Sequence, residues 1–191
     1  MAAGFDLDRA LRRCKPEKHA AGLRTRDDTE LPYVDGEQPL GSPLLLDTCV
    51  YLHVLRGKTP QKLDDLLRAR TVYHSATAIV ELTHRFGARV PANDKEEAAR
   101  ERLATAIRRI PAHRVIAPTV AIWGEAGILA GIRARVGGFG QLANQTTLND
   151  ALLFLQALAI GAAVLTENVA DYDIFRQLHP DGRALFYRAL P

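Results

Sequence analysis

The chain is short of the residues that build thiolate and disulfide chemistry. It has 191 residues and only two cysteines, Cys14 and Cys49, with no CxxC pair and no histidine cluster beside either. That excludes a disulfide framework and a Cys/His zinc site, and free thiols suit a reducing compartment, so a cytoplasmic protein is expected. The six histidines are scattered, and no HExxH occurs. Phosphate-binding glycine patterns are missing as well: there is no GxxxxGK[ST] and no GxGxxG after a strand. Gly137-Gly138-Phe139-Gly140 follows a helical pattern and reads as a flexible turn. There is no GxSxG elbow for a serine nucleophile. A phosphatase built on an Asp-x-Asp nucleophile is excluded because Cys49 stands two residues after Asp47. Long apolar runs are also lacking. The longest, Ala151 to Leu165, is broken by Gln156 and Gly161 and reads as a helix followed by a strand, not a membrane span. Asp6, Asp8, Arg9, Arg12 and Arg13 leave no apolar core for a signal peptide. Charge of one sign is modest, at a formal net +3 and a pI near 9.0, which permits a polyanionic partner without requiring one.

What is present is a composition of 47% hydrophobic and 25% charged residues, enough for one sizeable core. Residues 1–43 stand apart as an N-terminal extension, partly helical or flexible, with a net charge of −1 against +4 for the remainder. Phe5 to Leu23 can hold a short helix. Thr25 to Pro43, with Pro32, Gly36, Pro39, Gly41 and Pro43, reads as loop or linker. From Leu44 onward, short apolar runs alternate with helical patterns. Strands are expected at Leu44–Leu46, Thr71–His74, His113–Ile116, Ala163–Thr166 and Leu185–Arg188. Helices are expected over Thr48–Leu55, from Pro60 at the first helical position to about Arg70, from Ser75 to Phe86 with Gly87 as the stop, from Asn93 to Ile110, over Thr119–Val136, and from Thr147 to about Ile160. This alternation predicts a single α/β domain over residues 44–191, a three-layer α/β/α sandwich around a mostly parallel sheet.

Four acidic residues are set against apolar sequence, where a carboxylate needs a partner, a proton or a metal. They are Asp47 after Leu44-Leu45-Leu46, Glu81 between Val80 and Leu82, Asp150 before Ala151-Leu152, and Asp171 after the Ala163–Thr166 strand. In parallel α/β sheets, functional groups collect at the carboxyl ends of strands, so all four can share one sheet edge and bind a hard divalent cation. Each also has a structural reading. Asp47 can cap the next helix. Glu81 can lie on a solvated helix face. Asp150 can complete a capping box that opens at Thr147. Glu167, Asp171 and Asp173 lie within seven residues, so the fourth acid stays open among them.

Four motifs carry a resemblance: Leu45-Leu46-Asp47-Thr48, Ser75 through Glu81-Leu82, Asn149-Asp150-Ala151-Leu152-Leu153, and Thr166-Glu167-Asn168-Val169-Ala170-Asp171-Tyr172. In order and spacing they resemble the PIN domain family, specifically the VapC-like toxins of toxin–antitoxin pairs. Cys49 departs from the asparagine common after Asp-Thr, and the segment before Leu44 is extra. The resemblance implies a metal-dependent endoribonuclease with Mg²⁺ or Mn²⁺ held by Asp47, Glu81, Asp150 and Asp171. It implies Thr48, Thr166 and Asn168 in support, an RNA substrate, a cognate antitoxin and a homodimer. Arg85, Arg89, Arg133 and Arg135 are candidates for the RNA backbone, and Val50, Tyr51, Val54 and Leu55 for the antitoxin. The competing readings are an RNA-processing nuclease without an antitoxin and a non-catalytic RNA-binding or protein-interaction module.

Overall fold

A computed structural model describes residues 4–19, 22–137 and 145–191. Its centre is a five-stranded sheet of β1 (Leu44–Leu46), β2 (Val72–Ser75), β3 (Val115–Ile116), β4 (Ala163–Thr166) and β5 (Ala184–Phe186), in the order β3-β2-β1-β4-β5. Every pairing is parallel. Eight α-helices join and flank the strands among the described residues: α1 (Leu7–Cys14), α2 (Thr48–Arg56), α3 (Gln61–Ala69), α4 (Ala76–Ala88), α5 (Asp94–Arg108), α6 (Val120–Val136), α7 (Gln145–Ala159) and α8 (Val169–Leu178).

The three layers follow from the strand period of two. In β1, Leu44 and Leu46 enter one core and Leu45 the other. In β4, Ala163 and Leu165 share the first core and Val164 the second. The register Leu44↔Ala163, Leu45↔Val164, Leu46↔Leu165 keeps like faces side by side. Above one face, Val50 and Tyr51 of α2, Leu63 and Leu66 of α3, and Ala78 and Leu82 of α4 close the core. Above the other, α6, α7 and α8 supply Leu129, Phe154 and Phe175. Strands buried on both faces must be apolar throughout, which is why β1 is three consecutive leucines.

Local chemistry sets most helix ends. Ser75 caps α4 by accepting from the Thr77 amide, Asn93 caps α5 through the Glu96 amide, and Thr119 caps α6 through the Ile122 amide. Gly57 ends α2 in the left-handed region at φ 64°. Three expectations are corrected. Pro60 is the cap of α3 rather than its first helical residue. Gly87 lies inside α4, which runs on to Ala88. Helix α7 starts at Gln145, so Thr147 is inside the helix and does not open a capping box. The expected turn at Gly137-Gly138-Phe139-Gly140 falls mostly outside the described residues.

The segment before β1 is held by specific contacts. Helix α1 packs on α6, with Arg13 paired to buried Glu125 at 3.0 Å. Leu31 and Val34 enter the two cores, and Tyr33 forms a parallel bridge to Phe186 beyond β5. The Arg26 Nε donates to the buried Asp173 carboxylate at 2.9 Å, and the Arg26 backbone amide donates to its other oxygen at 2.9 Å. Arg70, buried at the end of α3, donates to Glu37 at 2.6 Å and to the Pro39 carbonyl at 3.3 Å.

Candidate functional site

The strand order reverses direction between β1 and β4. Open α/β sheets bind ligands in the crevice outside the carboxyl ends of the strands at such a point. Asp47 is the first residue past β1 there, 7% exposed, with its backbone amide bonded to the Leu165 carbonyl at 3.1 Å. Its carboxylate accepts from the Thr48 amide at 2.6 Å and from the Thr166 hydroxyl at 2.6 Å. Asp47 therefore does cap α2, but its second oxygen faces Thr166 and Cys49 in the crevice. Burial pushes its carboxyl above the ordinary range, Glu81 adds to that, and the bonds from Thr166, Cys49 and Thr48 oppose it.

Glu81 lies on α4, half-buried. It accepts from the Thr48 hydroxyl at 2.5 Å and from the Asn149 amide at 2.5 Å. The reading of Glu81 as a merely solvated face is thereby set aside. Asp150 sits in the second turn of α7 and is 6% exposed. It accepts from the Asn168 amide at 3.0 Å and lies 3.4 Å from the Tyr172 hydroxyl. Burial, then the charges of Asp47, Asp171 and Glu81, push its carboxyl up to about 8. Hydrogen bonds link the four acids: Thr48 bonds both Asp47 and Glu81, Asn168 bonds both Asp150 and Asp171, and the Asn168 backbone amide donates to the Thr166 hydroxyl that donates to Asp47. Asn168 links two of them, donating to Asp171 at 3.0 Å as well as to Asp150. It also caps α8 by accepting from the Asp171 amide at 3.2 Å.

The three candidates for the fourth acid separate cleanly. Asp171 joins the cluster through Asn168 and pairs with Arg133 at 2.9 Å. Glu167 is exposed and lies 3.5 Å from His53. Asp173 is fully buried on the far side of α8 with Arg26 and Gln177. Burial pushes its carboxyl up, but the Arg26 bonds outweigh that and hold it below the ordinary range. It is a structural acid rather than an inconsequential loop acid.

Other candidates divide. Arg85 is exposed on α4, and Arg89 is exposed just past its end. Arg133 is buried against Asp171, and Arg135 donates to the Pro16 carbonyl, so these two serve the fold. In the proposed docking stripe, Val50 is core and Tyr51 is buried with its hydroxyl 2.6 Å from His74 Nδ1, while Val54 is exposed and Leu55 half-buried. Sequence reasoning did not assign roles to Asn149 and Tyr172. Both are immediate neighbours of acids it did choose, and adjacency to Asp150 and Asp171 was the available signal.

The donor set suits a hard cation. Among the described residues, no Lys, Arg or His ion pair reaches Asp47, Glu81 or Asp150. All four acids offer carboxylate oxygen, the ligand of Mg²⁺ and Mn²⁺. No three acidic, histidine or cysteine groups among the described residues are already gathered as a chelate. Neutral donors occupy the carboxylates instead: Thr48 and Asn149 on Glu81, Thr166 on Asp47, and Asn168 on Asp150.

Comparison with known proteins gives a likeness of fold. The chain resembles a chain of VapBC2 from Rickettsia felis bound to a DNA fragment from their promoter, with a TM-score of 0.51 and 16% identity over 76% of this chain and 99% of that one. A chain of FitAB bound to the IR36 DNA fragment aligns with a TM-score of 0.48 and 21% identity, covering 75% of this chain and 93% of that one. No family model and no curated protein sequence matches the chain. Membership of the PIN family and its VapC-like toxins, expected from four short motifs, is therefore corrected to a shared fold. No described helix is long and apolar enough to cross a membrane.

Proposed function

We propose that the chain is a metal-dependent endoribonuclease, held in check by a protein partner as the toxin of a toxin–antitoxin pair. The observation that carries the nuclease reading is the hydrogen-bonded network that links Asp47, Glu81, Asp150 and Asp171 at the sheet's switch point. Like charges held together out of water raise one another's pKa and destabilise the fold. A module that only binds RNA has no use for them, whereas a divalent cation relieves them.

Asp47, Glu81 and Asp150 would hold Mg²⁺ or Mn²⁺, with Asp171 completing the set. When bound, the ion supplies an activated water near neutral pH and charge stabilisation for a phosphodiester oxygen. The protein's part is to keep the carboxylates aimed. Thr166 fixes the outer oxygen of Asp47, Thr48 and Asn149 fix both oxygens of Glu81, and Asn168 ties Asp150 to Asp171. Arg133 balances Asp171, so that acid carries less free charge and a lesser share of the metal. Arg85 is one helical turn from Glu81 on the same face and is placed to hold a substrate phosphate.

A protein partner is supported by the fold shared with a chain of VapBC2, whose structure is a complex on promoter DNA. Incubating the purified chain with tRNA, rRNA and mRNA in Mn²⁺ or EDTA tests the nuclease reading. Cleavage confined to the Mn²⁺ samples is expected, and equal RNA integrity in both overturns it.

A further inference from the structure

One cleft is not used by the reading above. It lies between α2, α4 and α5 and has a volume of about 270 Å³. Its floor is apolar, formed by Leu52, Phe86 and Leu103. Its rim is cationic: five arginines line it against one acid, Glu96. The Arg100 guanidinium lies over the Phe86 ring, 5.4 Å from its centroid. An apolar slot ringed by arginine, with Arg100 already stacked on Phe86 as a planar platform, matches a group that is planar and aromatic on one part and anionic on another.

The cleft is continuous with the carboxylate site. Arg85 and Arg89 line both this cleft and the groove that contains Thr48, Glu81 and Asn149. Glu81 and Arg85 lie one turn apart on the same face of α4, and Arg89 follows in extended backbone at the helix end, 3.7 Å from Glu96. At 1.5 Å per residue Glu81 and Arg85 are about 6 Å apart along the helix, a span that one nucleotide of extended single strand covers. A strand with a phosphate at the carboxylates thus has its next phosphates beside Arg85 and Arg89 and a base at the mouth of the slot.

We infer that the α2/α4/α5 cleft is a nucleotide subsite for single-stranded RNA, in which one base packs beside the stacked Phe86–Arg100 pair and flanking phosphates bind Arg85 and Arg89. This rests on the nuclease reading for its direction along the strand. An acidic peptide would satisfy the arginines, but it brings no base to stack beside the Arg100 guanidinium. The volume also fits one base and is too small to seat a helix.

Anisotropy of a fluorescein-labelled RNA hexamer, titrated with the full chain in EDTA, tests the subsite without any cleavage. Phe86→Leu keeps the apolar bulk and removes the ring, and Arg100→Gln removes the charge over it. Each is expected to weaken binding about five- to tenfold, in line with loss of one stacked base, with unchanged thermal unfolding. Arg100→Lys is expected to recover only part of the loss, because lysine lacks the stacking plane. Wild-type affinity in both Phe86→Leu and Arg100→Gln overturns the subsite, as does full recovery by Arg100→Lys, which would reduce it to surface charge. It is also overturned if an acidic peptide binds with the Phe86 and Arg100 dependence that the RNA lacks. Binding that depends on Phe86 and Arg100 in a chain that cuts no RNA keeps the subsite and removes the nuclease reading. Cutting by a chain whose RNA affinity ignores both residues does the reverse.

Discussion

Asp150 carries the energetic signature of the site. Its carboxyl is pushed up to about 8 in the folded chain, first by burial and then by Asp47, Asp171 and Glu81. In an unfolded chain an aspartate ionises near 4. Between those values the folded chain keeps a proton that the unfolded chain has lost, so this group makes stability fall as pH rises, by at most about 1.4 kcal/mol per pH unit. The contribution is whole below about 4 and is lost through about 8. In EDTA, the melting temperature should therefore drop from pH 5 to pH 8, and Asp150→Asn should flatten that drop. Added Mn²⁺ should raise the wild-type melting temperature most at pH 8, by mass action on the folded state alone, and should do little for Asp150→Asn. A variant whose pH slope and Mn²⁺ response match wild type would contradict the assignment. Asp171 is half-exposed and paired with Arg133, so Asp171→Asn should raise the Mn²⁺ needed for half-maximal cleavage while sparing most of the maximal rate. No change in that requirement would remove Asp171 from the set.

At the scale of elements, the strands, the apolar helices and the crevice acids were legible because each rests on local sequence. Leu44-Leu45-Leu46 can only be a strand buried on both faces, and an aspartate directly after it must sit at a strand end. The helix starts capped by Ser75 and Asn93 were legible for the same reason, whereas Thr119, read as helical, is the cap of α6. What was not legible depended on distant partners. The start of α7 was misplaced because Thr147-Leu148-Asn149-Asp150 carries the local signal of a cap, and burial of Asn149 and Asp150 in the core side of the helix overrides it. Arg133 read as an RNA-binding residue because its partner Asp171 lies 38 residues on. The tether of residues 22–43 was invisible for the same reason, since Arg26 meets Asp173 across 147 residues. That tether makes a prediction at this scale. Arg26→Ala leaves a fully buried carboxylate with, among the described residues, only Arg176 at 3.6 Å and Gln177 bonded to it. It should cost about 2–4 kcal/mol, below the full range for a buried pair because the Arg26 side chain is partly exposed. Chemical denaturation checks this. Asp173→Asn should be destabilised too, with an unchanged metal requirement for cleavage in the folded fraction. A wild-type unfolding midpoint in Arg26→Ala would show that the segment before β1 is dispensable to the fold.

Across the whole molecule, the strand order places one crevice where β1 and β4 diverge. Elements distant in sequence deliver one acid each to it: the end of β1, helix α4, helix α7 and the start of α8. The cationic cleft between α2, α4 and α5 opens on the same side. The molecule thus has an acidic centre flanked by arginine, so a polyanion is held by the arginine cleft and gains a further contact at the centre when a cation neutralises it. The partner reading belongs at this scale as well. Co-expression with the protein encoded by a neighbouring reading frame should yield a co-purifying complex with suppressed cleavage, and separate elution of the two chains would remove it. The central claim is that the carboxylate crevice cuts RNA with a divalent cation. It is tested most directly by the initial rate of cleavage of a labelled RNA in saturating Mn²⁺, compared between the wild-type chain and Asp47→Asn. The account predicts cleavage by the wild type and a loss of at least about a hundredfold in Asp47→Asn, the scale on which aimed electrostatic groups contribute, with thermal stability in EDTA equal to wild type or higher. Full Mn²⁺-dependent cleavage by Asp47→Asn would contradict it.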